Sequence, residues 1–156
     1  SIGLSNCRPT SRGHIRIGSP DPFRHPVITA NAFSTQNDVD EMLAAVKFLR
    51  TIAAQPAMAR LIREELRPGP AVTSDEDLIA DFRARSGTVY HPSCTCRMGA
   101  DPASSVLDSR LRVRGVAGLR VIDASSFPNL IAGNTNAPAI LTGWKGAALV
   151  SEDARM

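Results

Sequence analysis

The reactive side chains of this sequence are densest in one short run, Tyr90-His91-Pro92-Ser93-Cys94-Thr95-Cys96-Arg97-Met98-Gly99. An imidazole exchanges a proton near neutral pH, so His91 is a candidate general base. The plainer role of a single histidine is to meet a local backbone group. His91, Cys94 and Cys96 also supply three ligand types suited to zinc. Cys-x-Cys, however, is tighter than the usual gap of about two to four residues, and no second ligand pair follows. His14 and His25 lie far off in sequence. Cys94 as a nucleophile lacks any base partner that the sequence identifies. The expectation is therefore no metal and a histidine-centred site.

Two other stretches could join it. Gly133-Asn134-Thr135-Asn136-Ala137-Pro138 stands at the mouth of a helix. Free N–H groups and the positive end of the dipole favour an anion or a polarised oxygen there. Capping by Asn136 accounts for part of this pattern, whereas Asn134 lies outside the cap. Asp123 ends a strand-like segment, where an acid often faces a ligand crevice, or else closes an Asx turn leading to Pro128. Arg97, Arg110, Arg112, Arg114 and Arg120 form a basic stretch that alternation on exposed strands explains.

Positioning these groups falls to a mixed set of elements. His14–Ile17 and Pro26–Ala30 read as short strands, the first half-buried and the two antiparallel. Val39, Met42, Leu43, Val46, Leu49 and Ala53 recur at helical spacing, predicting a helix over 38–54 capped by Asn37 or Asp38. Pro56 interrupts it, and a second helix is expected over 57–66. Ser74-Asp75-Glu76-Asp77 is a capping box for a third helix to Arg85, with Gly87 as its stop. Thr88–Tyr90, Leu111–Val113 and Leu119–Ile122 look strand-like. A last helix is expected over 137–150, with Asn136 as N-cap and Pro138 in the first turn. It is apolar on most faces and should be well buried. Strands and helices in blocks indicate an α+β fold.

Composition narrows the function classes. A length of 156 residues suits one domain with a real core. Hydrophobic residues make up 43% and charged residues 21%, which is globular rather than disordered. The net charge of +3 is weak and scattered, so no nucleic-acid footprint is expected. The run from Ile122 to Trp144, whose one charged residue is Asp123, is broken by two prolines and three asparagines, which excludes a membrane span. Three cysteines do not make a disulfide scaffold. Ser1-Ile2-Gly3 shows no targeting pattern, which leaves a reducing cytoplasm as the default expectation.

Taken together, His91-Pro-Ser-Cys-Thr-Cys-Arg-Met-Gly99, Val106-Leu-Asp108, Leu111-Arg-Val-Arg-Gly-Val116, Leu119-Arg-Val-Ile-Asp-Ala-Ser125 and Gly133-Asn-Thr-Asn-Ala-Pro138 form a linked series. This series resembles the C-terminal region of glucose–methanol–choline (GMC) flavoprotein oxidoreductases. Arg8-Pro-Thr-Ser-Arg-Gly13 resembles the start of that region, so the likeness covers essentially the whole chain. The resemblance implies a catalytic histidine at His91 and a partner at Asn134, 43 positions later. It places Asp123 and Ala124 at a strand end touching FAD, and Asn134, Thr135, Asn136, Ala137 and Pro138 beside the flavin ring. It implies hydride transfer from an alcohol carbon to flavin N5. Residues 1–99 would then belong to the substrate-binding portion (an antiparallel sheet with helices). Residues 100–156 would return as the closing strand and helix of an FAD-binding domain.

Two departures bear on this reading. The family usually has glycine where this chain has Cys94, so the loop is expected to turn differently. No Gly-x-Gly-x-x-Gly occurs anywhere, so the FAD pyrophosphate cradle is missing. A fragment is therefore expected, whose last helix lacks a partner for its apolar surface. The alternative expectation is a non-catalytic module that needs the N-terminal FAD-binding half as its partner, with a small-molecule alcohol as substrate.

Overall fold

A computed structural model describes residues 2–155. Its elements are β1 (His14–Arg16), β2 (Val27–Thr29), α1 (Gln36–Ala53), α2 (Pro56–Ala59), α3 (Asp75–Arg85), a 3₁₀ turn (Ala124–Ser126) and α4 (Asn136–Asp153). β1 and β2 pair as a two-stranded antiparallel sheet. The expected α+β class holds. Both strands are exposed along their length rather than half-buried, with Ile15 and Ile28 open to solvent.

The chain forms two compact units. One comprises Ser1–Gly13 and Ile28–Val89, the other His14–Val27 and Tyr90–Met156. In the first, Val39, Met42 and Phe82 form the core, joined by Leu4, Phe33, Leu43, Val46 and Ile79. Val39, Met42, Leu43 and Val46 come from the stripe that marks α1 as amphipathic. The rings of Phe33 and Phe82 stand 5.0 Å apart in a tilted pair.

Beside this core lies Asp38, only 1% exposed. It does not cap α1. Its carboxylate instead accepts from Thr10 N (2.7 Å), Thr10 Oγ1 (2.8 Å) and Ser11 N (2.8 Å). The N-cap is Thr35, whose hydroxyl is taken by Thr10 Oγ1 at 2.6 Å. Burial pushes the Asp38 carboxyl up, but the hydrogen bonds from Ser11 and Thr10 outweigh it and hold the group far below the usual carboxylate range.

The second expected helix is cut to the single turn of α2. Leu61 and Leu66 face solvent, so no apolar contact extends a helix too short to persist alone. Instead Arg50 holds the following loop, bonding Glu65 (2.8 Å), Val72 O (2.8 Å) and Gly69 O (3.1 Å). α3 matches its expected bounds. Ser74 Oγ accepts from Asp77 N at 3.1 Å, which is the forward half of the expected capping box, while the Asp77 carboxylate accepts from the Ser74 hydroxyl rather than from its backbone N–H. The helix ends at Ser86 in an extended conformation, so Gly87 is not a left-handed cap.

Three expected strands do not form, two of them in the second unit. Tyr90 has φ 62°, a left-handed conformation that no strand tolerates. Residues 111–113 and 119–122 meet only as an isolated antiparallel bridge, Arg112 to Arg120. Leu111, Gly115 and Gly118, all at positive φ, turn the chain too often for a longer ladder. Leu107, fully buried, is the hub, packed with Leu111 and Leu149 and flanked by Cys96, Met98, Val113, Val121 and Ile122.

Helix α4 buries only Gly146 and Leu149. Ile140, Leu141 and Trp144 are exposed, so the helix is not buried on most faces; the unpartnered apolar surface is what the structure presents. Gly146 is small for a reason. A Cβ there would lie 2.4 Å from Ile122 Cγ2, whereas at Gly143 it would meet nothing within 4 Å.

Two predictions follow from this packing. Gly146→Ala gains about 1 kcal/mol of helix propensity but incurs an overpacking cost of about 1–3 kcal/mol, and a 2.4 Å approach makes the cost win. Thermal unfolding should show Gly146→Ala destabilised and Gly143→Ala stabilised. Asp38→Asn should destabilise its unit by about 2–4 kcal/mol, since it removes the charge from a buried acceptor that takes hydrogen bonds from Thr10 and Ser11. The native carboxyl lies below its unfolded value, so its contribution is present above about pH 4 and is lost as pH falls further. Denaturant melts from pH 7 to pH 2 should show a flatter acid limb for Asp38→Asn.

Candidate functional site

The loop that carries His91 is laid against the 3₁₀ turn by three parallel contacts. Cys94 N donates to Ala124 O (3.2 Å), Cys96 N to Ser125 O (2.9 Å) and Met98 N to Ser126 O (2.9 Å). The turn is itself built by Asp123. Its carboxylate accepts from Ser125 N at 2.7 Å, and its carbonyl accepts from the fully buried Ser126 hydroxyl at 2.7 Å. Asp123 is thus an Asx cap whose side chain serves its own turn. Ala124 contributes its carbonyl to the loop.

Tyr90 and Cys94, which bracket His91, Pro92 and Ser93, both take positive φ. Cys94 takes φ 70°, a conformation that favours glycine. The loop therefore takes a left-handed turn at a residue that carries a side chain. The Cys94 thiol lies 3.1 Å from Ser93 Oγ, and all three cysteines are free. Among the described residues no three His, Cys, Asp or Glu side chains gather as a metal site, His91, Cys94 and Cys96 included.

His91 is half-buried, and its Nδ1 lies 3.0 Å from Thr135 Oγ1. Thr135, 9% exposed, is the residue at which α4 begins. It replaces Asn136 as N-cap but makes no side-chain capping bond, and Asn136 is already helical. Asn134, Asn136 and Ala137 are exposed, and Pro138 is half-buried in the first turn. The structure thus joins His91 to the 134–138 turn through Thr135 and leaves that turn's outer side chains open. A contact between residues 44 apart has no local signature, so sequence spacing alone does not reveal the Thr135 side chain as His91's partner.

These motifs have a known setting. The sequence model for GMC oxidoreductase matches residues 9–143. The chain belongs to the GMC oxidoreductase family. It is 49% identical over 150 residues to an alcohol dehydrogenase [acceptor] of Pseudomonas putida, covering 96% of this chain and 27% of that protein. It is 43% identical over 151 residues to the mitochondrial choline dehydrogenase of Homo sapiens, covering 96% and 25%. The solved structure of an FAD-dependent oxidoreductase from Chaetomium thermophilum superposes with a TM-score of 0.90 at 29% identity, covering 96% of this chain and 26% of that one. The chain thus spans about a quarter of the length of these GMC relatives. No helix among the described residues is long and apolar enough to cross a membrane.

The left-handed Cys94 sets up a test of the loop. Relieving a non-glycine residue there returns about 1–2 kcal/mol, offset by the greater chain entropy of glycine. Cys94→Gly should therefore leave the chain as stable as the parent or up to about 1 kcal/mol more stable. Cys96→Gly, which removes a side chain packed beside Leu107, should lower the melting temperature.

Proposed function

We propose that this chain supplies the proton-accepting side of the active site of an FAD-dependent alcohol oxidoreductase. The observation that carries the reading is His91, held by Nδ1 at the open N-terminus of α4. In this reading residues 1–99 shape the substrate side and residues 100–156 complete the flavin side. FAD, when bound, supplies the acceptor for the hydride that leaves the alcohol carbon.

The residues of this chain fit that group. The first-turn amides of Asn136 and Ala137 carry no side-chain cap, so they remain available to the electron-rich edge of a flavin. His91 accepts the hydroxyl proton at Nε2, and the exposed Asn134 holds the substrate oxygen. The C–H bond breaks as a hydride, the O–H bond breaks to His91, and the carbonyl forms between them. Asp123 and Ala124 shape the wall near the cofactor. The redox chemistry is the cofactor's, while orientation and proton transfer are the protein's.

A second reading concerns the chain by itself. It acts as a module that requires an FAD-binding partner, and the exposed Ile140, Leu141 and Trp144 of α4 favour this. The two readings are compatible, because the module's partner would complete the enzyme.

In the whole flavoenzyme that carries this chain, His91→Ala should slow anaerobic flavin reduction by about 10²–10⁴-fold while FAD stays bound. Stopped-flow absorbance measures the rate, and the flavin-to-protein ratio measures retention. An unchanged rate overturns the assignment of His91.

A further inference from the structure

Thr135 stands at the N-cap of α4 but does not cap it. An N-cap threonine ordinarily adopts an extended backbone and accepts from the N–H of the second or third helical residue. Here φ is −84° and ψ is −7°, already helical. The third helical residue is Pro138, which has no N–H to offer. The hydroxyl is directed instead to His91 Nδ1 at 3.0 Å. Its β-branched side chain has restricted χ1 freedom and is nine-tenths buried, so the oxygen is held in place.

We propose that Thr135 is a positioning residue that sets the tautomer and ring orientation of His91, an inference that rests on His91 as the proton acceptor. A neutral imidazole carries one N–H and one lone pair. To take a proton at Nε2 it must carry its hydrogen at Nδ1, and that hydrogen needs an acceptor. The Thr135 oxygen is that acceptor. As the proton arrives at Nε2, the same bond becomes charge-assisted and strengthens. The sequence Thr135-Asn136-Ala137-Pro138 thus frees the hydroxyl from the helix and gives it to the base.

The test uses the whole flavoenzyme with ¹⁵N-labelled histidine and three variants. Thr135→Val keeps the shape and removes the oxygen, Thr135→Ser keeps the oxygen, and His91→Ala removes the ring. Imidazole ¹⁵N shifts should report Nδ1–H and a bare Nε2 for His91 in the parent and in Thr135→Ser. Thr135→Val should move His91 toward the Nε2–H form. Flavin reduction should fall about 10- to 100-fold in Thr135→Val, return in Thr135→Ser, and fall no further when Thr135→Val is added to His91→Ala. Unchanged His91 shifts in Thr135→Val overturn the proposal, as does an equal loss in the His91→Ala background or a loss of bound flavin in Thr135→Val. If His91→Ala alone reduces flavin at the parent rate, the base assignment fails, while the ¹⁵N shifts still read the Thr135 bond separately.

Discussion

Everything near His91 depends on the register of one short backbone pairing. The amides of Cys94, Cys96 and Met98 meet the successive carbonyls of Ala124, Ser125 and Ser126. Such pairing satisfies groups that would otherwise be buried without partners, so sliding it would be costly. Asp123 and Ser126 stiffen the accepting turn from within. On the donating side, Cys96 and Met98 send their side chains toward the Leu107 cluster, so the same few residues anchor the loop to the core. His91 is then delivered to Thr135 by a turn through two left-handed residues, Tyr90 and Cys94. A non-glycine residue in that conformation costs about 1–2 kcal/mol, and the pairing beyond it holds the strain in place.

Helix α4 is fastened at its far end and left open at its near end. Asp153 lies in the last turn, where the helix dipole disfavours an acid. Hydrogen bonds from Arg110 and then Arg120 hold its carboxyl below the usual range. Gly146 admits Ile122 against the middle of the helix, and Leu149 enters the core. The first turn has no such fastening from its own cap. Thr135 turns its hydroxyl to His91, and Pro138 has no amide to bind it. A rigid helix with an uncapped N-terminus presents fixed positive potential at no reorganisation cost, which suits a site where negative charge develops.

Much of this was legible in the residues alone. Apolar spacing located α1, the Ser74–Asp77 box located α3, and the Gly133–Pro138 run located the start of α4. These signals are local, because a helix satisfies its backbone within a few residues of itself. The run around His91, with its linked motifs downstream, identified the family and the candidate base. The chain alone therefore determined its three long helices, its α+β class and its membership of the GMC oxidoreductases.

Tertiary structure decided what depended on distant partners. Asp38 caps nothing because Thr10 and Ser11 claim its oxygens. The helix expected over 57–66 stops at Ala59, and Arg50 instead holds the loop that follows. The strands expected at 88–90, 111–113 and 119–122 do not form, since left-handed residues break the chain where alternation suggested continuity. Thr135 joins His91 across 44 residues, a pairing that no periodicity encodes. Helical hydrogen bonds close over four residues and so are written in the sequence, whereas caps, short bridges and the orientation of an imidazole are settled by whichever donor or acceptor the folded chain brings nearest.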